Sequence, residues 1–160
     1  LKLEFYSQED IQEILKRSSS LLDISIEKSA AERLAQSSRS TPRVANRLLR
    51  RARDFAHVNN HDQISFDTVL ATLKMLGIDE LGLDSTDRKL LLTLAEKFHG
   101  GPVGLSTLSA ASNEEEETVE DVYEPFLMQL GFLQRTPRGR LLTEKVYKHL
   151  GLEFVNPLSQ

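Results

Sequence analysis

The sequence predicts a mainly α-helical chain in two parts: a small helical bundle, then three helices and a short β-ribbon in the order of a winged helix. Three observations carry this reading. Apolar residues recur at helical spacing behind Ser and Thr caps through the first half. The stretch GIDELGLD, residues 77–84, has two glycines, three acids and no periodicity, which marks a boundary. Beyond three more helical stretches, GFLQRTPRGRLLT reads as strand, turn, strand.

Each element has its own local cause. Ser7 precedes the first helix with Asp10 three residues on, a capping box with a shorter acid than usual, and Ile11, Ile14, Leu15 and Ser18 share one face. A second helix is expected after Ser25, with Ala30, Ala31, Leu34 and Ala35 inward, ending near Ser37 and Ser38. Thr41 is a good N-cap for the third, and Pro42 suits its first position, where no amide hydrogen is needed. Val44, Ala45, Leu48, Leu49, Ala52, Phe55 and Ala56 then keep helical spacing. Ser65 starts the fourth, with Ile64 and Val69 placed as a hydrophobic staple ahead of Leu70, Leu73 and Leu76. Asp84 or Ser85 caps a fifth that runs to about Phe98. HGGPVG is read as a turn, and a short helix over 105–111 follows. Thr118 is expected to cap the next helix, with Val119, Val122, Tyr123, Phe126, Leu127 and Leu130 apolar and Pro125 bending it. Phe132-Leu133 and Leu141-Leu142 flank a loop holding Pro137 and Gly139, and a last helix spans 144–150. The expected organisation is a bundle over 1–78, a linker over 79–84, a winged helix over 85–152 and a tail over 153–160.

The 160 residues are 39% hydrophobic, enough for one ordinary domain or two small ones. No run of 18 apolar residues exists, the first residues, LKLEFYSQED, lack the apolar segment of a signal peptide, and a start at Leu1 suggests a piece of something longer. The lack of cysteine excludes disulfide and thiol chemistry and fits a cytoplasmic protein. The net charge of −4 hides segregation: residues 1–78 carry 12 basic and 10 acidic side chains, residues 79–160 carry 8 and 14. Two basic islands stand out, 39–53 and 134–148. Local patches, not net charge, decide where phosphates bind.

Arg43 falls in the first turn of the third helix, where a positive side chain opposes the helix dipole unless an anion offsets it. Free amides and a guanidinium there suit a phosphate, although local sequence alone favours a solvated arginine. Arg43, Arg47, Arg50 and Arg51 follow one stripe, which charge alone reads as a solvated face. Residues 114–124 hold seven acids and no base. A helix so charged, at the recognition position, would be repelled by DNA phosphates. Any DNA contact is therefore expected on the ribbon, at Arg135, Arg138 and Arg140. His57 and His61 are four apart, but nothing completes a metal set, so no metal is expected. No GxxxxGK[ST], GxSxG or HExxH motif is present, and no catalytic residue is expected in this chain.

TPRVANRLLRRARDFA, GLDSTDRKLLLTLAEKFHGGPVGL and EPFLMQLGFLQRTPRGR together resemble the bacterial RuvB family, the Holliday-junction branch-migration ATPases of the AAA+ class. The similarity runs from LEFY, ending at Tyr6, to about Gly151. The resemblance implies an AAA+ helical lid followed by a winged helix, with the Walker A and B segments before Leu1, so that this chain alone is expected not to hydrolyse ATP or to hold bound nucleotide. It implies that Arg43 is the sensor-2 arginine of a Gly-Thr-Pro-Arg motif, with Ser40 in place of the glycine. Tyr6 and Pro42 would join Arg43 around ATP or ADP, with Mg in the intact protein. It places the family's DNA contacts on Arg135 and Arg140, which bracket the wing motif. The implied partners are double-stranded DNA at Holliday junctions, RuvA and RuvC, and copies of the chain in a hexameric ring, with no membrane. The RuvA-binding segment would lie in the missing core. An AAA+ origin initiator and a non-enzymatic winged-helix module remain as alternatives, the first disfavoured by the acidic helix.

Overall fold

The computed structural model describes residues 5–154 and 156. The chain divides into two units, Leu1–Ser85 and Thr86–Gln160.

The first unit is a helical bundle: α1 (Gln8–Leu21), α2 (Lys28–Gln36), α3 (Pro42–Val58) and α4 (Phe66–Leu76). Three of its helices begin where side-chain caps were expected. The hydroxyls of Ser7, Thr41 and Ser65 accept from the amides of Asp10, Val44 and Thr68, each satisfying a donor that has no partner within its helix. Gly77, with φ 69°, ends α4 in the left-handed conformation that glycine adopts without a Cβ clash. Ile11, Leu15, Leu34, Leu48, Leu49, Ile64, Val69 and Leu73 fill the core. Each contributes about 1.5–3 kcal/mol by leaving water. The buried alanines of α2 and α3 let those helices approach closely.

The second helix starts later than expected. Ser25–Ile26 forms β1, paired in parallel with β2, Gln63–Ile64. Glu27 is then the N-cap of α2, and its carboxylate turns to α4, accepting from the Phe66 amide at 3.0 Å and from Gln63 Nε2 at 2.9 Å. The stretch expected as a linker is an ordered turn folded onto the α2–α3 connection. Asp79 Oδ1 accepts from the amides of Leu81 and Leu83, Ser37 Oγ donates to the Asp79 carbonyl, and Leu83 is fully buried.

The second unit contains α5 (Ser85–Lys97), α6 (Leu105–Ser112), α7 (Glu116–Thr118), a π-helical turn (Val119–Tyr123), α8 (Glu124–Gln129), an antiparallel ribbon of β3 (Leu133–Thr136) and β4 (Gly139–Leu142), and α9 (Glu144–Leu150). Thr118 does not cap a helix: its backbone is already helical, and Glu115 takes the N-cap position of α7. Of the apolar positions expected there, Val122 is exposed. HGGPVG is more than a turn, because Val103 pairs with Arg140 and adds a third edge to the ribbon. Val103 N donates to Arg140 O at 3.0 Å, and Leu142 N donates to Gly100 O at 2.9 Å. The tail expected over 153–160 falls mostly outside the described residues.

Gly139 makes this pairing possible. Its φ is 129°, and a Cβ built there would lie 2.4 Å from the Val103 carbonyl carbon. Gly139→Ala is expected to lose about 1–3 kcal/mol through overpacking and backbone strain. Urea titration followed by circular dichroism measures it, and a loss below half a kilocalorie would contradict the close approach.

Candidate nucleotide-sensing and nucleic-acid interfaces

The residues proposed to meet a nucleotide gather at the start of α3. Tyr6 N donates to the Ser40 carbonyl at 2.8 Å, which ties the Tyr6 segment to the turn before Thr41. Pro42 and Arg43 are the first two residues of α3. Arg43 is exposed and makes no ion pair with the described residues. A guanidinium beside the positive end of a helix, with no acid facing it, suits the phosphate end of a nucleotide. Arg39 and Ser40 both have left-handed backbones, with φ of 59° and 56°. The position at which the family motif has glycine therefore adopts a conformation that glycine enters freely, and Ser40 holds it at some cost in strain. Further along α3, Arg47, Arg50 and Arg51 are exposed, while Arg53 pairs with Asp54 at 3.1 Å.

The ribbon arginines are placed differently from one another. β3 and β4 pair Thr136 with Gly139 and Arg135 with Arg140. Pro137 follows Thr136 with its φ locked negative, which excludes the usual primed hairpin turns. Instead the Thr136 hydroxyl closes the loop, donating to Gly139 O at 2.7 Å and accepting from Arg138 N at 3.3 Å. Arg138 is exposed at the tip and makes no ion pair with the described residues.

Arg135 and Arg140, opposed across the strands, share one carboxylate. Glu124 is 1% exposed. Its Oε2 accepts from Arg140 Nε at 2.8 Å and its Oε1 from Arg140 Nη2 at 3.1 Å. The same Oε1 accepts from Arg135 Nε at 3.3 Å and Nη2 at 3.1 Å. Glu120 adds a second ion pair to Arg140 at 3.5 Å. The hydrogen bond to Glu124 holds the Arg140 guanidinium above its ordinary pKa, against an opposing effect of burial, with the charges of Glu124 and Glu120 adding to the rise. Two like charges directly across a ribbon repel, and Glu124 removes that conflict.

The π turn explains how Glu124 reaches this place. Pro125 has no amide hydrogen. In the π turn, Glu124 N donates to Val119 O, five residues back. The Glu120 carbonyl would then look to Pro125 and find no donor. Arg135 Nη2 supplies one at 3.2 Å. The proline, the π turn and the ribbon arginine form one arrangement. By charge alone Glu124 belongs with the acids expected to repel DNA, but it is the one acid in 114–124 that is fully buried, and it bonds the ribbon arginines.

His149 packs its ring on Phe132, 5.4 Å between centroids, and His57 and His61 are exposed. Among the described residues no three side chains of metal-ligating type gather to hold an ion, and no helix is long and apolar enough to cross a membrane.

A four-helix bundle with an arginine at the start of its third helix, followed by a winged helix with a basic ribbon, defines an AAA+ lid and winged-helix pair. Residues 6–79 match the family model of the RuvB AAA lid domain and residues 80–151 that of the RuvB C-terminal winged helix domain. The chain is similar to the solved RuvB Holliday junction branch migration motor of Thermotoga maritima and to two point-mutant forms of it. Each comparison gives 52% identity over 96% of this chain and a TM-score of 0.92. The chain belongs to the RuvB family. It spans about half of those relatives, 51% of their length.

Proposed function

We propose that this chain is the nucleotide-sensing and DNA-holding part of an ATP-driven motor that moves Holliday junctions during recombination and repair. The single observation behind this is the match of both units, in order, to RuvB lid and winged-helix domains at 52% identity. In the intact protein, ATP with Mg would bind between a core and this lid. Arg43 would face the terminal phosphate, with Tyr6 and Pro42 lining the same end, so that loss of that phosphate shifts the lid. A nucleotide, when bound, would supply the energy of the cycle, and Arg43 would supply a charge at the start of α3. The ribbon bearing Arg135, Arg138 and Arg140 would lie against duplex DNA and hold its backbone without sequence preference. By analogy with the family, the intact protein would act as a homo-hexameric ring with RuvA and RuvC. RuvA would bind a segment that this chain lacks.

The acidic surface of 114–121 favours this reading over a sequence-reading winged helix. Glu115, Glu116, Glu117 and Asp121 are all exposed, and a groove lined by phosphates repels them. The test is duplex binding by this chain across salt concentrations. Unrelated sequences should bind equally, with log affinity falling linearly in log salt. A strong preference for one sequence, or no binding at low salt, would refute the DNA assignment.

A further inference from the structure

We propose that the turn over Ser37–Ser40 couples the nucleotide end of α3 to the chain that leaves the bundle, with Ser37 and Gly82 as its positioning residues, so that a tilt of α3 carries residues 79–83 with it. This rests on the reading of Arg43 as a nucleotide sensor and deepens it by giving the route its response takes. The turn joins α2 to α3, and Arg39 stands four positions before Arg43. On the α3 side, the Thr41 amide donates to Ser38 O at 3.2 Å, and the Thr41 hydroxyl reaches the same carbonyl at 3.3 Å. That hydroxyl also accepts from Val44 N, which ties the turn to the first residues of α3. On the other side, Ser37 Oγ lies 3.2 Å from Asp79 O and 3.4 Å from Glu80 O, one proton shared between two acceptors. Arg39 Nη1 donates to Gly82 O at 3.4 Å.

By composition residues 77–84 are a flexible tether, yet their contacts make 79–83 stiff. Asp79 closes the segment on itself. Its Oδ1 accepts from the amides of Leu81 and Leu83, its carbonyl accepts from Gly82 N at 3.0 Å, and its amide donates to Leu83 O at 3.0 Å. The closed loop lies on the turn because Gly82 has no side chain. A Cβ there would stand 2.7 Å from the Ser37 carbonyl oxygen and 3.3 Å from Arg39 Cγ, and its φ of 89° is one that glycine enters freely. Ser37 and Leu83 are both fully buried, so a hydroxyl and an apolar side chain anchor the loop together. A buried hydroxyl needs a partner, and Ser37 finds its acceptors in the loop. Arg39 and Ser40 hold left-handed backbones that persist only where their surroundings fix them. A displacement at Arg43 therefore has a path of a few bonded residues to Leu83 that does not cross the bundle core. A loose linker would absorb the same displacement.

Two measurements test this. The chain has no cysteine, so Arg47→Cys on α3 and Glu80→Cys on the loop, both at exposed positions, accept a pair of spin labels. In the 160-residue chain the distance between labels should be narrowly distributed, and adding Gly82→Ala should broaden it. A broad distribution before that change, or a narrow one after it, would overturn the joint. In the intact protein, the Gly82→Ala variant should hydrolyse ATP and bind duplex as before, yet move a Holliday junction several-fold less per ATP consumed. Ser37→Ala removes only a hydroxyl and should act in the same direction to a smaller extent, which separates the joint from a folding defect peculiar to Gly82→Ala. Equal junction movement per ATP in both variants would refute the coupling. So would a parallel loss of hydrolysis in the folded variants, because the turn would then serve the nucleotide site itself. If the unaltered intact protein moves no junction with ATP, the motor reading fails with all that rests on it; if it does and both variants match it, only the coupling fails.

Discussion

Glu124→Ala is expected to cost the winged-helix unit about 3 kcal/mol, because removing one partner of a buried ion pair leaves charge without compensation. The carboxylate is 1% exposed and bonds two guanidiniums. Without it, Arg135 and Arg140 face each other directly across β3 and β4, and Arg140 stays mostly buried. The figure sits at the low end of the range for buried pairs because solvent screens the half-exposed Arg135 and Glu120 still pairs with Arg140. Glu124→Ala combined with Arg140→Met should recover part of the loss, since the second change removes the stranded charge. The chain has no tryptophan, so urea unfolding is best followed by hydrogen exchange at the β3 and β4 amides, which reports on this unit alone. A loss below 1 kcal/mol in the single variant would show that the three side chains are not coupled as their distances indicate.

The same cluster shows what could and could not be read in advance. Caps act over three residues, so Ser7, Thr41 and Ser65 were legible as helix starts from local sequence. The parallel pair of β1 and β2 was not. Two-residue strands carry no periodicity, and Ser25 pairs with Gln63 across the whole of α2 and α3. Glu27 caps α4 across 39 residues for the same reason. Pro125 pointed to an irregular helix but not to its form as a π turn, since that depends on which donor finds the Glu120 carbonyl. Glu124 looked like one more acid in an acidic run, because charge counts ignore which face a residue occupies. One signal was present: a two-residue loop of Pro137 and Arg138 puts Arg135 opposite Arg140. Two opposed arginines next to a buried helix call for a carboxylate, and Glu124 lies beside the proline that turns the helix. On the lid, Arg43 was legible as an unusual charge in a first helical turn, whereas the tie between Tyr6 and Ser40 is backbone hydrogen bonding that no side-chain pattern records.

Arg43→Ala in the intact protein is expected to lower ATP hydrolysis about a hundredfold or more, the scale on which removal of one preorganised donor to a developing charge is felt. Arg43 lies in the first turn of α3, exposed and without an acid partner among the described residues. A cation there opposes the helix dipole, and that cost is offset only when an anion arrives. Its removal should therefore leave the fold of the lid intact, or stabilise it by a few tenths of a kcal/mol, while removing the proposed contact to the terminal phosphate. Duplex binding through the ribbon should persist, because Arg43 belongs to the first unit and the ribbon to the second. Arg43→Lys keeps the charge and loses the planar fork; if two oxygens of the phosphate are held at once, it should behave almost as poorly as alanine. Steady-state phosphate release, measured beside duplex affinity and melting temperature, separates the three effects. Normal hydrolysis by a folded Arg43→Ala protein would remove the sensor role, and a parallel loss of duplex binding would show that Arg43 acts on something other than the nucleotide.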